Sequence, residues 1–409
     1  MKPGLERIAA LLDLLANPQD GHPIVHVAGT NGKTSTVRMA ANLLSSHGLT
    51  PGTFTSPHLH RVEERFEHGL QVMTPDQFAA AVAELAPLVD FLEERSGDGI
   101  TYFELTAALA HSWFAEKAVD AAVIETGLGG RLDATNAARS DVAVVTTIGL
   151  EHISYLGSTI SEIASEKMAI LDEGGVLVTG DLHPEALSVA ERTSLDRGST
   201  WFARGRDFDI TDERRLDRGW SFDIRSVYEE YTDVELRLFG RHQMDNFATA
   251  VAAIEALFGR PLDEAGVREA AATVTAPGRM EILRRDPILM VDGAHNPEAA
   301  QALALALEEE FGGIRWELVF GTMTDKNVPE MLTPLQTLVT TVHAVAADSP
   351  RARDPAATAA TAADALEVPV AVHRSIAAGL EAALASGNPV LVTGSIYVVG
   401  EAREVLERG

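Results

Sequence analysis

The chain has 409 residues, a formal net charge of −27 and no cysteine, so disulfides, thiolate metal sites and cysteine nucleophiles are excluded. Its acidity argues against a nucleic-acid partner, which needs a basic face, but leaves small anionic substrates open, because a local cluster of Lys, Arg and backbone N–H groups binds phosphate inside an acidic protein. With 46% hydrophobic and 23% charged residues the composition is that of a soluble globular protein, and the length favours two or three domains.

The first stretch, Met1 to Pro18, carries Glu6, Arg7 and Asp13 and reads as an amphipathic helix and not a signal peptide. No run approaches the roughly 18 apolar residues of a membrane span, so no membrane partner is expected and the cytoplasm is the expected location. Pro23–Val27 reads as a strand that runs into Gly29-Thr30-Asn31-Gly32-Lys33-Thr34 and then a helix from Ser35 to His47. Strand, glycine turn and helix in that order make half of a βαβ unit. Ala121–Ile124, ending at Glu125, Val142–Thr147 and Gly175–Thr179 read as further strands, and continuous apolar runs of this kind suit a parallel sheet covered on both faces. Residues 200–240 alternate and read as a small antiparallel sheet. Phe247–Phe258 reads as a helix stopped by Gly259. A second α/β pattern follows: strand Ile288–Asp292, helix Pro297–Phe311, strands Trp316–Gly321, Val339–Ala346 and Pro389–Gly394, with the alanine-rich Ala356–Ala365 as helix. The expected fold is α/β: a P-loop domain at 1–276 with a mostly parallel sheet and a small antiparallel sheet, then a smaller Rossmann-like domain at 277–409.

The glycine turn carries chemistry. Glycines let successive N–H groups face phosphate oxygens, and the helix N-terminus adds a positive dipole end. Gly29, Thr30, Asn31, Gly32, Lys33, Thr34 and Ser35 therefore form the candidate nucleotide site, with Lys33 for the transferred phosphates and a hydroxyl of Thr34 or Ser35 for Mg²⁺. The string departs from G-x-x-x-x-G-K-[ST] at Val27, and a plain strand-to-helix turn is the bland alternative. Glu125 ends a buried strand, where a carboxylate is costly unless a partner such as a cation meets it.

The P-loop string resembles that of the Mur ligase superfamily, and in particular the folylpolyglutamate synthase/dihydrofolate synthase family. Thr55-Ser56-Pro57-His58-Leu59, Tyr102-Phe103-Glu104-Leu105-Thr106, Glu125 through Asn136, Ile148-Gly149-Leu150-Glu151-His152, Ser165-Glu166-Lys167, Gly240 through Asn246, Pro277-Gly278-Arg279, Asp292 through Pro297, Asp325-Lys326 and Thr393-Gly394-Ser395 match its segments in order. The likeness runs from about residue 4 to residue 400.

What it implies is an ATP-dependent amide ligase that adds glutamate to dihydropteroate, a reduced folate, or both, through an acyl phosphate. The resemblance gives Mg²⁺, at two sites, to Ser56, Glu125 and His152, with Thr34 on the nucleotide side; K⁺ is a further candidate ion. Lys167 stands fifteen residues after His152, the spacing at which the family carries a carbamylated lysine, and carbamylation would turn a cation into a metal partner. Asn246 is assigned to adenine, Arg279 to the phosphates, Asp292 to ribose and His295 to the reacting groups. Lys326 and Ser395 are assigned to the incoming amino acid. The family's N-terminal arm, which helps form the pterin pocket, is essentially missing before Gly4-Leu5-Glu6-Arg7, so Phe103 and the segment around Asp133 are expected to carry pterin recognition. The P-loop Thr34 is closer to the cell-wall enzymes, and Met168-Ala169 and Thr126 also depart from the pattern. A Mur-type ligase acting on a non-folate carboxylate and a non-catalytic nucleotide-binding module remain as alternatives, and a monomer is expected.

Overall fold

The computed structural model describes residues 4–408, without the side chain of Arg408; Met1–Pro3 of the expected first helix lie outside them, and the helix itself covers Glu6–Leu14. Strands β1 (Ile24–Ala28), β2 (Pro51–Phe54), β3 (Phe66–His68), β4 (Gln71–Val72), β5 (Ala121–Glu125), β6 (Val142–Val145), β7 (Val176–Thr179) and β8 (Thr200–Ala203) form one sheet in the order β4-β3-β2-β5-β1-β6-β7-β8. Pairing is parallel except along β2–β3–β4. β1, β5 and β6 are buried at every position, which is why they read as unbroken apolar runs. One face packs on helices Glu6–Leu14, Pro75–Ser96 and Tyr102–Glu116. The same face, farther along at β6 and β7, packs on Ile160–Met168 and Pro184–Asp196, and helix Lys33–Ser46 packs against β1, β2 and β5. The register sets Val27 beside Glu125 and Ala28 beside Val145. Three chain segments therefore leave the sheet side by side at one set of strand ends, which carries the candidate site.

Several elements are not announced by apolar runs. Helices Pro75–Ser96 and Tyr102–Glu116 begin instead at capping boxes, Thr74 with Gln77 and Thr101 with Glu104. The expected antiparallel sheet of 200–240 is shorter than that span. It consists of β9 (Asp209–Arg215), β10 (Trp220–Arg225) and β11 (Glu230–Leu236), while Thr200–Ala203 joins the large sheet as edge strand β8, pinned by Trp201 Nε1 donating to Thr179 Oγ1 at 3.0 Å. The following helix is His242–Phe258, starting a turn before the apolar run, so Asn246 is helical. It ends at Gly259, whose φ of 64° is left-handed.

The small sheet is fastened to this helix by a buried carboxylate. Glu255 is fully buried and accepts from Ser226 Oγ at 2.6 Å, Tyr231 OH at 2.6 Å and Tyr228 N at 3.2 Å. Tyr231 OH in turn accepts from Leu262 N at 2.8 Å. Burial pushes the Glu255 carboxyl up against these hydrogen bonds.

The described residues fall into two compact units, the first within Met1–Pro57, Val62–Arg237 and Gln243–Val274, the second within His58–Arg61, Leu238–His242 and Thr275–Gly409. The second unit is built on β12 (Glu281–Arg285), β13 (Ile288–Val291), β14 (Trp316–Phe320), β15 (Val339–Ala344), β16 (Val370–Val372) and β17 (Val390–Thr393), ordered β12-β13-β17-β14-β15-β16. All neighbours are parallel except β12 on β13. Apolar clusters cover both faces, one with Trp316, Phe320 and Leu303, the other with Val319, Val392 and Val398. The chain returns at β17 to fill the place between β13 and β14. Such a reversal is where an α/β sheet opens a crevice at its strand ends.

Two stability predictions follow from these buried polar groups. Tyr231→Phe strands the Leu262 N–H and removes one donor from Glu255; the expected loss is about 1–3 kcal/mol, read as a lower urea midpoint at unchanged slope, and an unchanged midpoint would contradict the network. His26 on β1 and His111 on helix Tyr102–Glu116 are buried and each held at about 3, by burial first and, at His111, by His22 and His26. The unfolded chain binds protons at these histidines below the usual 6.5, whereas the folded one does not until about 3. Their contribution is complete above 6.5 and is lost as pH falls toward 3. Unfolding free energy should therefore fall over that window, less steeply in His111→Leu; equal slopes would rule the histidines out.

Candidate active site

The loop after β1 bends at Gly32, where φ is +87° and an added Cβ would lie 2.5 Å from Asn246 Oδ1. Only glycine meets both demands. Its neighbours are anchored on the segment after β6: Thr30 N donates to Thr147 O at 2.8 Å, Asn31 N to Thr147 Oγ1 at 2.9 Å, and Thr146 Oγ1 to Asn31 O at 2.6 Å. Helix Lys33–Ser46 then starts with its N-terminus at the loop, which gives an anion cradle of N–H groups and dipole. Lys33 Nζ folds over the loop onto Gly29 O at 2.8 Å and Thr30 O at 3.1 Å. Ser35, one of the two hydroxyls considered for Mg²⁺, is buried in the helix; Thr34 is the one that reaches the strand ends.

There Thr34 Oγ1 donates to Glu125, 3.0 Å from each carboxylate oxygen, and Ser56 N donates to Glu125 Oε2 at 3.1 Å. Glu125 is 1% exposed. Thr34, Ser56 and Glu125, chosen from separate segments, are thus in direct contact. Lys167 is not on a solvated helix face. It is 2% exposed, and its Nζ donates to Gly29 O at 2.8 Å and to Glu151 Oε1 at 2.8 Å. Burial, the Glu151 carboxylate and the neighbouring Lys33 ammonium leave the Lys167 amine at about 8, well below its usual 10.5. Burial works to raise Glu151, but Lys33 and Lys167 outweigh it and hold its carboxyl low.

Glu151 is the member that motif reading missed; the available signal was that a buried lysine at 167 needs a counter-charge. His152 follows it, half-buried, with φ of 47° at the head of the turn Ile153–Leu156. Among the described residues no three His, Asp or Glu side chains gather as a ready metal cluster. A cation here would draw on a carboxylate, hydroxyls and the phosphates themselves.

Phe103 and Asp133 flank the Glu125–Asn136 loop, but both are committed to holding it. The Phe103 ring fills the space over Gly127, where a Cβ would lie 2.5 Å away, and packs on Phe54 at 5.9 Å. Asp133 accepts from Leu128 N at 2.8 Å on one oxygen, and from Thr135 N at 3.1 Å and Thr135 Oγ1 at 2.5 Å on the other. His26 Nε2 stands 2.8 Å from the same hydroxyl.

In the second unit, Asp292 accepts from Met280 N at 2.9 Å and Ala294 N at 2.8 Å. Burial raises its carboxyl, and the Arg279 guanidinium works against that. Arg279 Nη1 donates to Gly278 O at 3.1 Å, beside Gly293. His295 Nδ1 stands 2.9 Å from Gly293 O and must donate to it, so in the neutral ring Nε2 is the acceptor. Gly394 N donates to Ala294 O at 3.1 Å, which sets Ser395 close to this turn. Ser395 Oγ accepts from Tyr397 N at 3.2 Å, and Lys326 Nζ faces Asp325 at 3.7 Å. Arg279, Asp292, His295 and Ser395 thus share one strand-end region, with Lys326 on the neighbouring loop.

Two family models match the chain: the Mur ligase middle domain over residues 27–254 and the Mur ligase glutamate ligase domain over residues 278–396. The dihydrofolate synthase/folylpolyglutamate synthase of Mycobacterium tuberculosis is 34% identical over 99% of this chain and 90% of its own length. The Bacillus subtilis enzyme of the same name is 34% identical over 100% and 96%. Among solved structures, the M. tuberculosis folylpolyglutamate synthase complexed with ADP and AMPPCP superposes with a TM-score of 0.96 at 34% identity, covering 100% of this chain and 96% of that one. The Escherichia coli FolC complex with DHPP and ADP gives 0.89 at 30% identity, covering 100% and 94%. Domains in the same order, sequence likeness across nearly the whole length and the P-loop geometry agree: the chain belongs to the folylpolyglutamate synthase/dihydrofolate synthase family of the Mur ligases.

Proposed function

We propose that this protein is an ATP-dependent ligase that joins glutamate to dihydropteroate, a reduced folate, or both, through an acyl phosphate. The observation that carries the reading is the contact set at one group of strand ends: a P-loop lysine, a buried Glu125 bonded to Thr34 and Ser56, and Lys167 beneath Gly29. A non-catalytic nucleotide binder has no use for the last two. Relatives bearing the ligase name and structures holding ADP, AMPPCP and DHPP support it.

Phosphoryl transfer needs charge neutralisation and in-line placement more than covalent help from the protein. In the proposed reaction an acceptor carboxylate oxygen bonds to the γ-phosphorus as the bond to ADP breaks. The glutamate nitrogen then bonds to the acyl carbon as the bond to phosphate breaks. Splitting the step this way replaces a poor leaving group by phosphate. Lys33 neutralises the phosphates in the cradle; Arg279 adds a guanidinium to them. Asn246 and Asp292 are assigned to adenine and ribose, and His295 Nε2 to the proton shed by the amine. Lys326 and Ser395 are assigned to glutamate.

Thr34, Ser56 and Glu125 fit Mg²⁺: hard oxygen donors beside a buried carboxylate that accepts from Thr34 Oγ1 and Ser56 N. His152 and a carbamylated Lys167 are assigned to a second Mg²⁺, with K⁺ as a further candidate ion. Bound Mg²⁺ supplies neutralisation of the charge that develops on the phosphates. Carbamylation needs the neutral amine, and a Lys167 pKa of about 8 provides it near neutral pH. The functional domains are assigned to 1–276, the P-loop ATP-binding ligase domain, and 277–409, the Rossmann-like domain for the amino acid and ATP closure.

The test is product mass after incubation with ATP, Mg²⁺, glutamate and, in turn, dihydropteroate, tetrahydrofolate and unrelated carboxylates. A glutamate adduct of a pteroate or folate is expected; an adduct only of a non-folate carboxylate would overturn the substrate assignment. Lys33→Ala should lose ADP formation by at least about 100-fold, as for loss of a preorganised charge at the transferring group, while unfolding at wild-type temperature. Lys167→Ala should lose rate strongly and recover part of it when small carboxylates are added. Near-normal turnover by either folded variant would remove that residue from the mechanism.

A further inference from the structure

Arg353 is a half-buried cation of the second unit that no carboxylate meets among the described residues. It follows β15 on the loop that leads into helix Pro355–Leu366. Its backbone is fixed: Arg353 N donates to Thr322 O at 2.8 Å, and Met323 and Ala352 form an isolated β-bridge between the same two loops. The side chain is half-buried. One terminal nitrogen donates to Thr361 Oγ1 at 3.1 Å, while Nε is buried with no hydrogen-bond partner among the described residues.

The neighbouring cations differ. Arg351 reaches Asp325 at 3.4 Å and Lys326 reaches it at 3.7 Å. Asp354, next in sequence, gives its carboxylate to Ala357 N at 2.9 Å as the helix cap, and Arg353 forms no ion pair among the described residues. In a chain of net charge −27, a half-buried guanidinium without a carboxylate is costly. Its seat beside a helix N-terminus adds positive to positive.

The place gives that charge a use. Arg353 is tied to Thr322, two residues beyond β14, and β14 lies beside β17 at the point where strand order doubles back. Gly321 N donates to Thr393 O at 3.4 Å across those strand ends, one residue from Gly394 and two from Ser395. Ligand crevices of α/β sheets form at such ends. A guanidinium offers paired donors in a plane, which matches a carboxylate.

We propose that Arg353 holds the side-chain carboxylate of the incoming amino acid, and thereby selects a dicarboxylic one. The inference rests on the ligase reading above and adds a residue that no motif singled out. Arg353 takes no part in bond making; it positions the amino acid.

The experiment uses the full chain with Mg²⁺ and the acceptor that the wild type turns over, and compares wild type, Arg353→Ala and Arg353→Lys. In Arg353→Ala the KM for glutamate should rise about 10- to 100-fold, the range for a charged hydrogen bond. The KM for ATP and for the acceptor should stay within about twofold by the same reasoning, since neither is bound by Arg353. The preference for glutamate over glutamine should collapse in Arg353→Ala and be partly restored in Arg353→Lys, which a merely structural role would not produce. Thermal unfolding of both variants checks that they fold, and glutamate binding followed by calorimetry checks the effect without turnover. An unchanged glutamate KM and preference in a folded variant, or an equal rise in the ATP KM, overturns the assignment of Arg353 while leaving the ligase reading intact. Absence of glutamate-dependent ADP release from the wild type with every acceptor overturns both.

Discussion

A carboxylate buried at the end of a central strand constrains everything around it. Glu125 ends β5 at 1% exposure, and leaving it there without good partners would cost several kcal/mol. The sheet resolves this by bringing three segments to the same strand ends: the helix after the P-loop offers Thr34, the segment after β2 offers the Ser56 N–H, and β1 delivers the loop itself. Parallel pairing is what makes this possible. The ends of β1, β2, β5 and β6 point one way, so residues distant in sequence converge without long excursions.

A second buried charge lies behind the first. Lys167 and Glu151 form a pair beneath Gly29, with Lys33 close enough to pull the Glu151 carboxyl down. Such a pair is poor evidence for stability, because desolvation offsets much of the attraction. Its value is positional: it fixes an amine of lowered basicity under the phosphate cradle. Lys33 and Lys167 face Glu151 and Glu125 at the same strand ends, so the cations that could meet nucleotide phosphates are gathered locally, inside a chain that is strongly acidic overall. Local arrangement, not net charge, decides what the site attracts.

Much of this was legible in the sequence. The glycine turn, Lys33 and Glu125 sit where strand and helix patterns change, and the motif order identified the family. Thr34 was named from the P-loop pattern and Ser56, Glu125 and Lys167 with the help of the family resemblance; Thr34, Ser56 and Glu125 are in direct contact, and Lys167 bonds Gly29 of the same loop. What stayed hidden has physical causes. Glu151 escaped because partnership of a buried lysine is a three-dimensional fact. Phe103 and Asp133 look like ligand-facing groups in a motif, yet their contacts are spent on Gly127, Leu128 and Thr135, so a motif residue can serve the site by shaping its loop. Helices Pro75–Ser96 and Tyr102–Glu116 carry their start signal in capping boxes more than in periodicity. Strand β8 is short and half-buried, and only its hydrogen bonds to β7 separate it from the antiparallel strands that follow.

The acyl phosphate is the claim on which the roles of Lys33, Glu125 and Arg279 all depend. It can be tested by labelling the acceptor carboxylate with a heavy oxygen isotope and measuring the label in both products by mass spectrometry. Transfer through an acyl phosphate requires one labelled oxygen to leave with inorganic phosphate and the other to stay in the amide. Unlabelled phosphate, with both labels accounted for in the amide and water, would show that ATP never touches the carboxylate and would contradict the account.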